Sequence, residues 1–222
     1  MEKIVIIGGK SSATLIADYI YDAQHKHKVA IECLGFAYDG EAVGADINGF
    51  PVLCKVNEAY EKYRDNHEVK FIFQMYDIQD MQKTIDFKNS LGIPKERYCT
   101  FVHPSCMIAR SAEIGIGTLI LAHTVVNPKA IIGEFNSIMS GVTIGHDARI
   151  GHYNLVATQA IVANLVMGDR NFIGINATTN NKITIGDDCM IGMASNVVKD
   201  VASGTKCFGN PAKSVETPKR LR

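Results

Sequence analysis

From Ile108 to Val197, large apolar residues recur at every sixth position: Ile108, Ile114, Ile120, Val126, Ile132, Ile138, Ile144, Ile150, Val156 and Val162. After one five-residue step to Met167 the count resumes through Ile173, Thr179, Ile185, Ile191 and Val197. Eight of these residues are followed at once by glycine, as in Ile144-Gly145 and Ile150-Gly151. A helix repeats its faces every three or four residues and does not produce a strict period of six. The pattern predicts a hexapeptide β-helix, in which each unit lays down one short strand, buries one residue and bends at a corner that small residues permit. Coils of this kind stack at strand spacing, roughly 4.8 Å, and pair their backbones between coils.

The first hundred residues follow another rhythm. Lys3 to Ile7 is a β-branched run that ends at Gly8-Gly9, and Leu15, Ile16, Tyr19 and Ile20 then recur at helical spacing. A second strand is predicted over Val29–Tyr38, a short amphipathic helix over Val56–Arg64 and a third strand around Phe71–Phe73. Asp77 is the expected cap of a helix over about 78–91, which Gly92 ends. Strands alternating with helices predict a small parallel, Rossmann-like sheet. The fold class is thus α/β followed by a β-helix. Its expected divisions are a Rossmann-like domain over 1–102, a β-helix over 103–213 and a tail over 214–222, which carries Lys219, Arg220 and Arg222.

Composition narrows the setting. Twenty-three basic and 23 acidic residues balance to zero, which leaves no electrostatic footprint for nucleic acid. No apolar run approaches the ~20 residues of a membrane helix, and the chain opens into a strand without a signal sequence. The six cysteines lack ligand-like spacing and read as buried thiols of a reducing compartment, so a cytoplasmic protein is expected.

Candidate chemistry sits in two places. Gly8-Gly9-Lys10-Ser11 fits neither a Walker A loop nor the G-x-G-x-x-G fingerprint, yet it leaves backbone N–H groups at a helix N-terminus where an anion can bind. With Ser12, and with Asp39 at the end of the second strand, these residues are the candidate substrate site. In the repeats, the residue two places after each buried position is mostly small or polar, so His146 and His152 are expected on the outside. His146 has Asp147 beside it, and a carboxylate that orients an imidazole supports general-base work near neutral pH. His152 lacks such a neighbour and reads as plain surface. A zinc site from His123, His146 and His152 would need three or four ligands meeting at one point, and their spacing offers no such cluster, so no metal is expected.

Other segments then matter: His103-Pro104-Ser105, Asn127-Pro128-Lys129-Ala130-Ile131-Ile132-Gly133, Ile144-Gly145-His146-Asp147, Val198-Lys199-Asp200-Val201 and Gly209-Asn210-Pro211-Ala212-Lys213. Together they resemble the bacterial sugar O- and N-acetyltransferases of the left-handed β-helix class. The narrower likeness is to the branch with an N-terminal Rossmann-like domain, which includes sialic-acid O-acetyltransferases and nucleotide-aminosugar N-acetyltransferases. The resemblance implies a homotrimer that holds acetyl-CoA in grooves between β-helices, with a nucleotide sugar as acceptor. It implies that His146 is the general base, with Asp147 beside it. It further implies an oxyanion-binding N–H at Asn164, one coil beyond His146, and a pantetheine groove lined by Asn176, Ala177 and Ala194. Gly209, Asn210 and Lys213 complete the implied donor site.

Three positions depart from that pattern. The turn that usually reads G-A-G-G-H has Ser12 in place of the histidine, a second family histidine is Leu155, and a frequent asparagine is Met139. Acyl transfer is therefore better supported than any named acceptor. N-acetylation of a nucleotide-linked amino sugar leads, O-acetylation of a sialic acid or another sugar hydroxyl stands beside it, and a non-catalytic trimeric scaffold or a β-helix zinc enzyme of the carbonic anhydrase type are the alternatives from other classes.

Overall fold

The computed structural model describes residues 1–215, and the basic end of the tail lies outside them. The chain forms two compact units, Met1–Pro104 and a second that begins at Ser105.

In the first unit β1 (Glu2–Ile7) leads through α1 (Ser12–His25) to β2 (Ile31–Ala37). A hairpin of β3 (Asp46–Ile47) and β4 (Phe50–Cys54) follows, then α2 (Ala59–Tyr63), β5 (Val69–Phe73) and α3 (Met81–Ser90). The sheet order is β3-β4-β2-β1-β5, parallel except for the β3–β4 pair. Ile4 to Ile7 of β1 are fully buried, as expected for a central strand covered on both faces. Ile16, Ala17, Ile20 and Ala23 bury one stripe of α1. Because β2 and β5 flank β1 on opposite sides, the strand order reverses there, and in open α/β sheets ligands collect outside the carboxyl end of such a switch point.

One predicted element shifts and one is new. The β3–β4 hairpin was not anticipated, although Asn48-Gly49 is a strong turn pair. Both residues take positive φ, 53° and 82°, as a type I′ turn requires. The third helix starts at Met81 rather than 78, because Asp80 and not Asp77 caps it, accepting a bond from the Lys83 N–H at 3.0 Å. Asp77 instead closes a local turn onto the Gln79 N–H.

The second unit is the expected β-helix. Two-residue strands stack in parallel into three sheets, typified by the ladders Val125–Val126, Thr143–Ile144, Ile161–Val162 on one face, Ile131–Ile132, Arg149–Ile150, Val166–Met167 on the next and Ser137–Ile138, Leu155–Val156, Phe172–Ile173 on the third. From Ile120 onward the sixth-residue positions are buried, while Ile108 and Ile114 at the first coil are half-buried. The interior takes a second residue from each hexapeptide, two places earlier. On one face these are Thr118, Asn136, Asn154 and Asn171, and each accepts the backbone N–H of its counterpart in the next coil.

The corners correct one expectation. The residue with positive φ lies three places after the buried one and is usually not glycine: His123, Lys129, Asp147, Tyr153 and Asn176 all occupy it. Where glycine follows the buried residue, it answers a different need, close approach of the next coil. A Cβ on Gly145 would stand 2.6 Å from the Ala163 carbonyl carbon of the next coil. The five-residue step between Val162 and Met167 removes the turn residue itself, since none of 163–165 has positive φ.

Candidate active site

His146 follows the Thr143–Ile144 strand at a corner of the β-helix, with its side chain 66% exposed. Asp147 occupies the left-handed turn position at φ 58°, anchored by its N–H to the Pro128 carbonyl at 3.0 Å. That conformation turns the carboxylate back onto its neighbour, and Asp147 Oδ2 lies 2.7 Å from His146 Nδ1. The bond to His146, reinforced by Lys129 and Arg149, holds the Asp147 carboxyl below its ordinary range, so it is ionised near neutral pH. A carboxylate only accepts, so Nδ1–H donates and Nε2 carries the free lone pair. This is the arrangement of a base that removes a proton from an incoming nucleophile.

His152 occupies the matching place in the next hexapeptide, and its chemistry differs. Its Nδ1 accepts the Glu134 backbone N–H at 2.9 Å, and its own N–H donates to Asp169 Oδ1 at 2.7 Å. Asp169 and Asp187 continue the ladder, each residue's N–H donating to the side chain one coil on. His152 is therefore a structural cap. His123 is an exposed turn residue at φ 62°, and His123, His146 and His152 do not gather as ligands among the described residues.

The donor-side residues divide. The Asn164 N–H, expected to face a thioester oxygen, donates to Asn181 Oδ1 at 3.2 Å, and this is a correction. The same rule explains it: the side chain two places after a buried residue caps the N–H of its counterpart one coil earlier. Ala177 is also corrected, because it is fully buried inside the β-helix and its methyl group lines no groove. Asn176 and Ala194 are exposed turn residues with φ 60° and 54°, open to a ligand lying along the corner. Gly209 donates its N–H to Ser195 Oγ, Asn210 accepts from Asn196 Nδ2 at 3.4 Å, and Lys213 is exposed. Near them Val198, Lys199, Ala202 and Ala212 help line a cavity of about 290 Å³.

In the first unit, Gly8 donates to the Ala37 carbonyl and takes φ 127°. Gly9 lies flat under Tyr38, where a Cβ would come within 2.4 Å of the ring. Ser11 enters α1 at φ 57° without capping it by its side chain. Asp39 has one oxygen engaged by the Val56 N–H at 3.0 Å. Sequence reasoning missed Gln74, just beyond β5. It is 5% exposed and donates to Ser12 Oγ at 3.0 Å, while its buried Oε1 has no hydrogen-bond partner among the described residues. Gly8, Ser12 and Gln74 thus meet at the switch-point end of β1 and β5. Only the position of Gln74 after an apolar strand, opposite the glycine turn, signals it in the sequence.

The cysteines are free, and burial pushes the Cys33 thiol up to about 12, which keeps it protonated and unreactive. Among the described residues no helix is long and apolar enough to cross a membrane.

No family model matches the chain. Serine acetyltransferase 4 of Arabidopsis thaliana is 31% identical over 117 residues, covering 51% of this chain and 28% of that protein, so the chain spans under a third of that relative's length. Among solved structures, the acetyltransferase domain of PglB from Neisseria gonorrhoeae FA1090 superposes with a TM-score of 0.79 at 21% identity, covering 97% of this chain and all of that one, 100%. PerB from Caulobacter crescentus, in complex with CoA and GDP-perosamine, superposes with a TM-score of 0.79 at 22% identity, covering 97% of this chain and 98% of that one. A parallel α/β unit, a hexapeptide β-helix and these whole-length superpositions show that the chain shares the fold of these two proteins.

Proposed function

We propose that this protein transfers the acetyl group of acetyl-CoA to the amino group of a nucleotide-linked amino sugar. The observation that carries this reading is the His146–Asp147 pair: an exposed imidazole whose Nδ1 is held by an ionised carboxylate at 2.7 Å. In the reaction, the sugar nitrogen attacks the thioester carbonyl while His146 Nε2 accepts its proton. Collapse of the tetrahedral adduct forms the amide, breaks the C–S bond and returns a proton to the departing thiolate. The likeness to PerB, solved with CoA and GDP-perosamine, supports the donor and the acceptor class.

The first unit, with Gly8, Gly9, Ser11, Ser12, Asp39 and Gln74 around the β1–β5 switch point, is proposed to hold the nucleotide sugar. The buried Gln74 Oε1 needs a donor, and a nucleotide base or sugar hydroxyl supplies one. Asn176, Ala194, Gly209, Asn210 and Lys213 are proposed to line the path of the CoA. A homotrimer is proposed as the working form. Ile175 and Met193, one coil apart on the same corner, are 48% and 68% exposed, and Phe208 beside Gly192 is 44% exposed, an apolar stripe that a second copy would cover. Free cysteines, with Cys54, Cys99, Cys189 and Cys207 buried and Cys33 and Cys106 half-buried, and a CoA donor fit a cytoplasmic setting.

Thermal unfolding with acetyl-CoA and with a panel of nucleotide sugars tests the assignment, since a ligand that binds only the folded state raises the midpoint. Midpoint rises with acetyl-CoA and with one nucleotide amino sugar are expected. No rise with either CoA or acetyl-CoA would overturn the reading.

A further inference from the structure

Away from the proposed catalytic residues, three donor groups of the first unit converge. Asp22 lies in the last turns of α1, His27 just beyond that helix and His103 at the far end of the unit's chain. One ligand atom from each falls within 4.8 Å of the other two, and they are the one group of His, Cys, Asp or Glu among the described residues that does so. We propose that Asp22, His27 and His103 form a binding site for a divalent cation of the zinc class.

The geometry carries the assignment. His103 Nε2 lies 3.2 Å from Asp22 Oδ2, and His27 Nε2 lies 3.4 Å from the same oxygen. Zinc bound at about 2.0–2.1 Å by nitrogen and oxygen in a tetrahedron separates neighbouring ligand atoms by roughly 3.3 Å, so both distances are those of a tetrahedral edge. Three protein ligands leave the fourth position to water.

Local structure prepares each ligand. The chain leaves α1 through a left-handed turn, with Lys28 at φ 59° and the Val29 N–H returning to the Ala23 carbonyl at 3.0 Å. This reversal brings His27 back beside Asp22, which a continuing helix would not do at five-residue spacing. His103 is 3% exposed, packed edge-on against Tyr19 at 5.3 Å and near Phe101 at 6.3 Å, so its ring is fixed before any ion arrives. Lys26 engages Asp22 Oδ1, the oxygen that faces neither imidazole. Such an outer hydrogen bond orients a monodentate carboxylate, in the manner of the second layer around known metal sites. Two imidazoles and one carboxylate favour zinc, cobalt or nickel over magnesium or calcium, which prefer oxygen alone. Binding would fasten residue 103 to α1 across 81 residues of sequence and stabilise the first unit.

The test uses the full chain without a polyhistidine tag, stripped with chelator and titrated with Zn²⁺ by calorimetry and with Co²⁺ by absorption. Expected are one Zn²⁺ per chain, a raised unfolding midpoint, and a four-coordinate Co²⁺ spectrum lacking thiolate charge-transfer bands. His27→Gln is the diagnostic variant, because His27 is 39% exposed at its side chain and its loss leaves the packed His103 in place. It should unfold at the same midpoint as the parent without metal and lose about 100-fold or more in Zn²⁺ affinity, at least the cost of removing a supporting ligand. The proposal is overturned if Zn²⁺ does not bind, if His27→Gln binds it as tightly as the parent, or if Co²⁺ shows thiolate ligation from the cysteines. Binding of Mg²⁺ in preference to Zn²⁺ would also overturn it.

Discussion

His146 and His152 stand at equivalent positions of neighbouring hexapeptides, each two residues after a buried isoleucine and each beside a corner residue with positive φ. Their environments still send them to opposite ends of imidazole chemistry. At the first corner the turn residue is Asp147, so Nδ1 donates to a carboxylate and Nε2 is left as a base. At the second it is Tyr153, stacked on Phe135 at 5.1 Å, and Nδ1 is used up in accepting the Glu134 N–H. The repeat therefore sets where a side chain emerges, and the residue at the turn decides what that side chain can do.

The comparison is broken most severely by His146→Ala. Turnover should fall by ~10²–10⁴-fold, the range for loss of a general base, while the unfolding midpoint and acetyl-CoA binding hold. A variant with parental turnover would remove His146 from the chemistry.

Asp147→Asn keeps the ring in place but removes the charge behind it, and a fall in kcat of about 10–100-fold is expected. This variant also carries a pH signature. The native Asp147 carboxyl lies below its ordinary range because of its bond to His146, so its stabilising contribution is complete above the unfolded value and is lost as pH falls through the native one. The midpoint gap between parent and Asp147→Asn should hold constant above about pH 5 and shrink below about pH 4. A gap that widens in acid would contradict the assignment.

Gln74→Leu separates acceptor binding from the His146 corner. Removing one buried amide contact should raise the KM for the nucleotide sugar by about tenfold, with kcat and the KM for acetyl-CoA little changed. An effect confined to acetyl-CoA would place Gln74 wrongly.

The smallest effect on chemistry is expected for His152→Ala. Leaving the Glu134 N–H uncapped should cost about 0.5–1.5 kcal/mol of stability, seen in denaturant unfolding, while turnover stays within about twofold. A large loss of turnover would mean that the two corners are not chemically distinct.

How much of this was legible in the sequence differs between the units. In the repeats, one residue in six is forced into the same interior, so the period announces the coils, and His146-Asp147 stands out because the pair is local. What the period could not reveal was the side-chain ladder between coils, which links residues 16 to 18 apart and claims both His152 and the Asn164 N–H. Nor could it show that Ala177 belongs to the second buried column. In the first unit the strands and helices follow from alternation, but Gln74 meets Ser12 across 62 residues, and Asp22 meets His103 across 81. No linear spacing encodes such meetings, because they depend on strand order and on where α1 ends.

The most direct test of the central claim is thiol release from acetyl-CoA in the presence of a nucleotide amino sugar, compared for the parent, His146→Ala and His152→Ala. The account predicts acceptor-dependent release by the parent and by His152→Ala, with His146→Ala reduced by ~10²-fold or more. Equal release by His146→Ala and the parent, or release that no amino sugar accelerates, would contradict it.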